Sequence, residues 1–116
     1  MSPVTTFAAL RTPAVLIERP RLDANIRRMQ AAANDAGIRL RPHAKTHKSP
    51  LVARRQIEAG AVGICCAKLG EAEVFAAAGI SDIRLPYPLQ PSNADRLLTL
   101  QRAARISFIV DDLAVA

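Results

Sequence analysis

The chain has no tryptophan, one tyrosine and three phenylalanines. A protein that grips nucleic acid usually clusters its positive charge and adds stacking aromatics. Here the net charge of +6 rests on thirteen Arg and three Lys, with the Arg scattered and only short pairs at Arg27-Arg28 and Arg54-Arg55. A solvated basic surface is expected, and no nucleic-acid partner. Cysteine is as scarce: Cys65 and Cys66 are the only two, and they are adjacent. Sequence neighbours rarely form a disulfide, and two thiols cannot complete a four-ligand zinc site. They read as small buried strand residues in a reducing compartment. No stretch approaches the ~18 uninterrupted apolar residues of a membrane span. The opening Met1-Ser2-Pro3-Val4-Thr5-Thr6 has no basic segment leading into an apolar one, as a secretory signal would. A cytoplasmic protein with no membrane partner is expected. Low-complexity tracts, linkers and internal repeats are missing too.

What is present is regular. Half of the 116 residues are apolar, which suits one domain and excludes a disordered chain. Ala14-Val15-Leu16-Ile17 reads as a short buried strand, followed by a helix that starts near Pro20 and stops at Gly37. Ile38 to His43 reads as a second strand, and Ser49-Pro50 as a capping hydroxyl with proline at the first helical position. A third strand is expected over residues 61–66, then a helix from Gly70 to Ala78. A fourth strand follows at 82–85, a helix capped by Ser92 or Asn93, and a fifth strand at 106–110. Asp111-Asp112 resembles the cap of one more helix.

Strands that are continuously apolar and alternate with helices argue for a parallel sheet covered by helices. A doubly wound sheet closes in about this length, whereas a (β/α)₈ barrel needs about 250 residues, so that this chain supplies only half of one. The turn after the first strand, Glu18-Arg19-Pro20-Arg21, contains no glycine, which argues against a dinucleotide site. Geometry alone leaves the two architectures open.

Chemistry concentrates in Arg41-Pro42-His43-Ala44-Lys45-Thr46-His47-Lys48-Ser49, which holds both histidines and two of the three lysines. Four readings compete: a solvated basic loop, a metal site, an anion site at the helix that starts near Ser49, and a Schiff-base lysine. A metal is disfavoured because the surroundings are cationic and carry no carboxylate. The helix dipole and Lys48 favour an anion. A nucleophilic lysine must be neutral, and neighbouring cations plus desolvation lower its pKa. Lys45 is flanked by Arg41, His43, His47 and Lys48, and in an extended stretch residues 43, 45 and 47 share one face. Such an amine is suited to condense with an aldehyde such as pyridoxal phosphate.

The run Arg41-Pro42-His43-Ala44-Lys45-Thr46-His47-Lys48 resembles the cofactor-lysine motif of the D-threonine aldolase and D-serine dehydratase family, whose barrel is of the alanine-racemase N-terminal type. Thr12 to Ile17 with Asn25 to Met29, Cys66 to Val74, and Asp82 to Pro88 are similar to the same family, so the resemblance covers nearly the whole chain. It implies an α/β fold in which residues 1–116 form the N-terminal part, about half, of a pyridoxal-phosphate-binding (β/α)₈ barrel. The rest of the barrel and a C-terminal β domain would lie outside this chain. It implies a lyase that cleaves β-hydroxy-D-amino acids through a Schiff base on Lys45. His43, Thr46 and His47 would be local supports that orient the lysine or pack against the cofactor ring. The family also uses a divalent metal, whose ligands would lie outside this chain, so no metal ligand is assigned among these residues. Tyr87, near a strand end, could face the site, with a rim or core position favoured, and Lys68 is expected at the surface or as an indirect contact. A homodimer is implied for the full-length protein, and little activity for the 116-residue chain by itself. An amino-acid racemase of the same fold, or a non-catalytic cofactor-carrying or anion-binding module, are the alternative readings.

Overall fold

A computed structural model describes residues 6–114. Among the described residues there are four α-helices: α1 (Arg19–Asp35), α2 (Pro50–Glu58), α3 (Leu69–Ala77) and α4 (Ala94–Gln101). From α2 onward they alternate with three strands, β1 (Ile64–Cys65), β2 (Asp82–Pro88) and β3 (Arg105–Ile109), which form one parallel sheet in the order β1-β2-β3.

Local chemistry explains the helix boundaries. Pro20 lies in the first turn of α1, and Pro50 opens α2 with the Ser49 hydroxyl accepting from the Val52 amide at 3.5 Å. Helices α1 and α3 both end with a glycine in the left-handed region, Gly37 at φ +66° and Gly79 at φ +87°. In each, paired bonds close the end: Gly37 to Asn34 and Ile38 to Ala33, Gly79 to Ala76 and Ile80 to Phe75. At α4 the expected cap differs. Asn93 holds the N-cap position but makes no capping bond, because its Oδ1 instead faces Arg96 at 3.4 Å and a 3₁₀ turn over Pro91–Asn93 leads in. Asp112 accepts from the Ala114 amide in a short turn, and a helix beyond it falls outside the described residues.

The core lies between the sheet and α2, α3 and α4. Ile64, Ile83 and Leu85 from the strands meet Ala53, Phe75, Leu97 and Leu100 from the helices. Cys66 is buried there, while Cys65 is only half-buried.

Three expected strands are corrected. Residues 14–17 form no strand and pair with none among the described residues, and Val15 is 93% exposed instead of buried. The apolar run is therefore an open face with no partner among the described residues. The segment 38–43 does lie parallel beside β1, yet it makes only one bridge, His43 with Cys65, plus amide bonds from Val62 to the Leu40 carbonyl and from Cys65 to the Pro42 carbonyl. Pro42 has no N–H to donate, which interrupts a regular ladder. The expected strand 61–66 contracts to Ile64–Cys65, although Cys66 still donates to the Arg84 carbonyl at 2.9 Å.

Candidate active site

In a parallel sheet all strand C-termini lie at one edge, and ligands bind in the loops that leave it. Three segments meet at that edge: the loop 43–48, the loop 66–68 after β1, and the end of β2 at Tyr87 and Pro88. They line a cleft of about 520 Å³ that includes Lys48, Lys68, Glu71, Leu85, Tyr87 and Arg96.

Loop 43–48 is not the extended stretch expected from sequence. Ala44–Thr46 form a 3₁₀ turn with His43 as its cap, its Nδ1 accepting from the Lys45 amide at 3.3 Å. Ala44 is fully buried and pins the turn to the core, whereas Lys45 and Thr46 are exposed. The turn rotates residues 43, 45 and 47 off a common face. The Lys45 Nζ projects from the edge and meets the Tyr87 hydroxyl at 3.5 Å, a contact made across 42 residues of sequence. Tyr87 thus faces the lysine from the exposed rim, beyond the register shift between Leu85 and Pro88 that ends the alternation by which Ile83 and Leu85 point into the core.

The two histidines are held differently. His43 Nε2 is buried with no hydrogen-bond partner among the described residues, and burial, then the Lys45 charge, lowers its pKa below 6.5. His47 packs edge-on against Phe75 with ring centroids 6.4 Å apart, and its Nδ1 accepts from the Ser49 amide at 3.0 Å. Burial lowers its pKa as well, partly offset by Gln56 and Ser49. His47 is therefore a packed support for the start of α2 and does not face Lys45.

Nor do the expected cations gather around Lys45. Arg41 turns to the opposite end of the sheet, where its Nη1 pairs with Asp82 Oδ1 at 2.8 Å. Lys48 is neutralised by Glu71 at 3.2 Å. Lys68 is exposed, as expected, and makes no ion pair among the described residues. The thiols carry no reactive signature. Burial pushes Cys66 up to about 12 and also raises Cys65. Among the described residues no group of three or more His, Cys, Asp or Glu side chains is placed to hold a metal ion. No helix among them is long and apolar enough to cross a membrane.

The described residues thus form a three-stranded parallel β/α segment with a lysine amine and a tyrosine hydroxyl meeting at its C-terminal edge, an arrangement that an α/β-barrel segment would have. Comparison with known proteins identifies which one. Residues 17–116 match the family model of the alanine racemase N-terminal domain, and the chain belongs to that family. It is 43% identical over 111 residues to a D-threonine aldolase of Arthrobacter sp, covering 95% of this chain and 29% of that protein. It is 44% identical over 112 residues to a D-threo-3-hydroxyaspartate dehydratase of Delftia sp. (strain HT23), covering 96% of this chain and 30% of that one. The crystal structure of a D-threonine aldolase from Filomicrobium marinum superimposes with a TM-score of 0.87 at 37% identity, over 94% of this chain and 30% of that chain. The chain thus spans 28–30% of the length of the curated relatives it matches, and its fold is that of the opening part of the alanine-racemase-type barrel.

Proposed function

We propose that the protein containing this chain is a pyridoxal-phosphate-dependent lyase of aldolase or dehydratase type that acts on β-hydroxy-D-amino acids, with Lys45 as the residue that carries the cofactor. The carrying observation is the exposed Lys45 amine, set by a buried turn at the C-terminal edge of the sheet and facing the Tyr87 hydroxyl. The names of the relatives, an aldolase and a dehydratase of β-hydroxy amino acids, support the reaction class.

The residues present fit that cofactor. The amine is accessible, lies beside an open cleft, and is tied to no carboxylate among the described residues. The buried Nε2 of His43 has hydrogen-bonding capacity unused by the protein. When bound, pyridoxal phosphate supplies an electron sink for the charge left as a bond to Cα breaks. The chain's own groups do the rest. Lys45, once its amine is free, accepts or returns a proton beside Cα. Tyr87, at the cleft's edge, holds that amine through its hydroxyl, and His43 fixes the Lys45 backbone. Thr46 and His47 keep the turn in place. The described residues do not fit a divalent metal, so no step is assigned to one here.

Residues 1–116 are read as the N-terminal part of the barrel, with the remaining strands, the C-terminal domain and any metal ligands supplied elsewhere in a cytoplasmic, homodimeric protein. The 116-residue chain alone is expected to turn over little substrate. The test uses the full encoded protein with added pyridoxal phosphate, borohydride reduction and peptide mass spectrometry, alongside assays of D-threonine, D-serine, 3-hydroxy-D-aspartate and D-alanine. Cofactor on Lys45 and breakdown of the hydroxy amino acids is the expected result. Racemisation of D-alanine in place of breakdown would move the reading to a racemase of the same fold. Covalent cofactor and turnover that survive Lys45→Ala would overturn it.

A further inference from the structure

Glu71 lies in the first turn of α3, its side chain only 12% exposed, and each of its oxygens is engaged. Oε2 accepts from the Ala67 amide at 2.9 Å, and Oε1 faces the Lys48 ammonium at 3.2 Å. Burial by itself raises this carboxyl, yet the Ala67 amide and Lys48 bring it below its ordinary value, so it stays charged. Its partner Lys48 is the one non-glycine residue with positive φ among the described residues, at +48°. A side chain with a Cβ avoids that region unless its surroundings hold it there. Two contacts do so: the ion pair to Glu71, and the Lys48 amide donating to the Ala44 carbonyl at 2.8 Å. That second bond closes the turn on which Lys45 sits. On the other side, His43 bridges to Cys65 and accepts from the Lys45 amide.

We propose that Glu71 is a positioning residue for the Lys45 amine: by gripping Lys48 and the Ala67 amide together, it locks the lysine-bearing turn onto the loop that follows β1. The proposal rests on the reading of Lys45 as the cofactor lysine. Glu71 touches neither the amine nor the Tyr87 hydroxyl at the cleft's edge. It acts through the backbone of residues 44–48, and an error of about 1 Å in the placement of a reacting group is enough to slow a reaction strongly.

The experiment labels the full encoded protein with pyridoxal phosphate, reduces it with borohydride, and measures the ratio of modified to unmodified Lys45 by peptide mass spectrometry. Glu71→Gln keeps an oxygen for the Ala67 amide and loses the ion pair. The ratio is expected to fall about five-fold, a shift well short of the loss that a 1 Å misplacement produces. Lys48→Met is expected to match it, and the double variant to fall no further than either single one, because both remove the same link. Hydrogen exchange of the amides in residues 44–48 is expected to rise in the same variants. An unchanged ratio in Glu71→Gln with a fall only in Glu71→Leu would reduce Glu71 to a cap on the Ala67 amide and overturn the proposal. If Glu71→Leu fails to fold, Glu71→Gln and Lys48→Met still decide it. Labelling that ignores Lys45→Ala would instead sink the underlying reading of Lys45, a separate outcome.

Discussion

The two ends of the sheet are built to opposite rules. At the N-terminal end of β2, Arg41 and Asp82 form a half-buried ion pair at 2.8 Å, with the guanidinium also reaching the Asp82 carbonyl at 3.4 Å. Gly63 lies beneath that pair, and a Cβ there would meet both the Arg41 guanidinium and the Asp82 carbonyl oxygen. Every polar group named at this end has a partner, and no room is left. At the C-terminal end the Lys45 amine is exposed, its contact to Tyr87 is long, and His43 Nε2 is buried without a partner. One end spends its polar groups on holding the strands in register. The other leaves an imidazole nitrogen without a partner and an amine held only by a long contact. The contrast separates stability from chemistry, and substitutions can be chosen to move one without the other.

Lys45→Ala is expected to have the largest effect, and only on chemistry. It should abolish borohydride-trapped cofactor at this position, while the unfolding midpoint in urea stays within about 0.5 kcal/mol of the parent, because the side chain is exposed. A large loss of stability would show that the turn depends on the amine, and the separation would fail.

Gly63→Ala should do the reverse. The added methyl has to displace the Arg41–Asp82 pair, at a cost of about 2–4 kcal/mol in chemical denaturation. Asp82→Ala, which strands a half-buried guanidinium, is expected to cost about 1–3 kcal/mol. Neither should change the proportion of folded protein that carries cofactor on Lys45. If both did, the two ends would be mechanically coupled.

Acid should separate the histidines from the carboxylates by pH. His43 and His47 both have folded-state pKa values lowered by burial. The unfolded chain therefore takes up protons first, near pH 6.5, and the stability these groups contribute is full above that pH and lost as pH falls through the folded values. Asp82 has its pKa lowered chiefly by its hydrogen bond to Arg41, so its contribution is present above its ordinary 3.8 and lost only below it. Urea midpoints measured between pH 8 and 3 should show a decline that starts near 6.5 and a second one below about 4.5, where Glu71 and Glu73 contribute along with Asp82. His47→Gln should diminish the first, and Asp82→Asn the second. A single decline confined to the carboxylate range in the parent would contradict the histidine assignment.

How much of this was visible in the residues depends on range. Helices and their ends were legible because their signals are local: Ser49-Pro50, Gly37 and Gly79 each fix a boundary through their own backbone chemistry. The lysine was legible as a motif. Its surroundings were not, because charge partners come from far along the chain. Arg41 pairs 41 residues away and Lys48 pairs with Glu71, so cations that are neighbours in sequence are dispersed in space. The 3₁₀ turn was hidden for a similar reason: beside its local cap from His43, it rests on the burial of Ala44 and on the Lys48–Glu71 pair, whose partners come from farther along the chain. The run at 14–17 was misjudged because an apolar strand sequence states a capacity for pairing and does not supply the partner.

Tyr87→Phe is the finest probe of the contrast. The hydroxyl is half exposed and its contact with Lys45 is 3.5 Å, at the outer limit of a hydrogen bond, so its removal should leave stability within about 0.5 kcal/mol. If the hydroxyl holds the amine, cofactor capture on Lys45 should slow about two- to five-fold, the range that follows from one weak hydrogen bond of about 0.5–1 kcal/mol. The slowing should be specific to Lys45, with labelling of the exposed Lys68 unchanged. Equal slowing at both lysines would mean that the tyrosine only shapes the cleft. No slowing at all would leave the Lys45 turn, with Ala44 buried beneath it, as the sole feature that sets the amine in place.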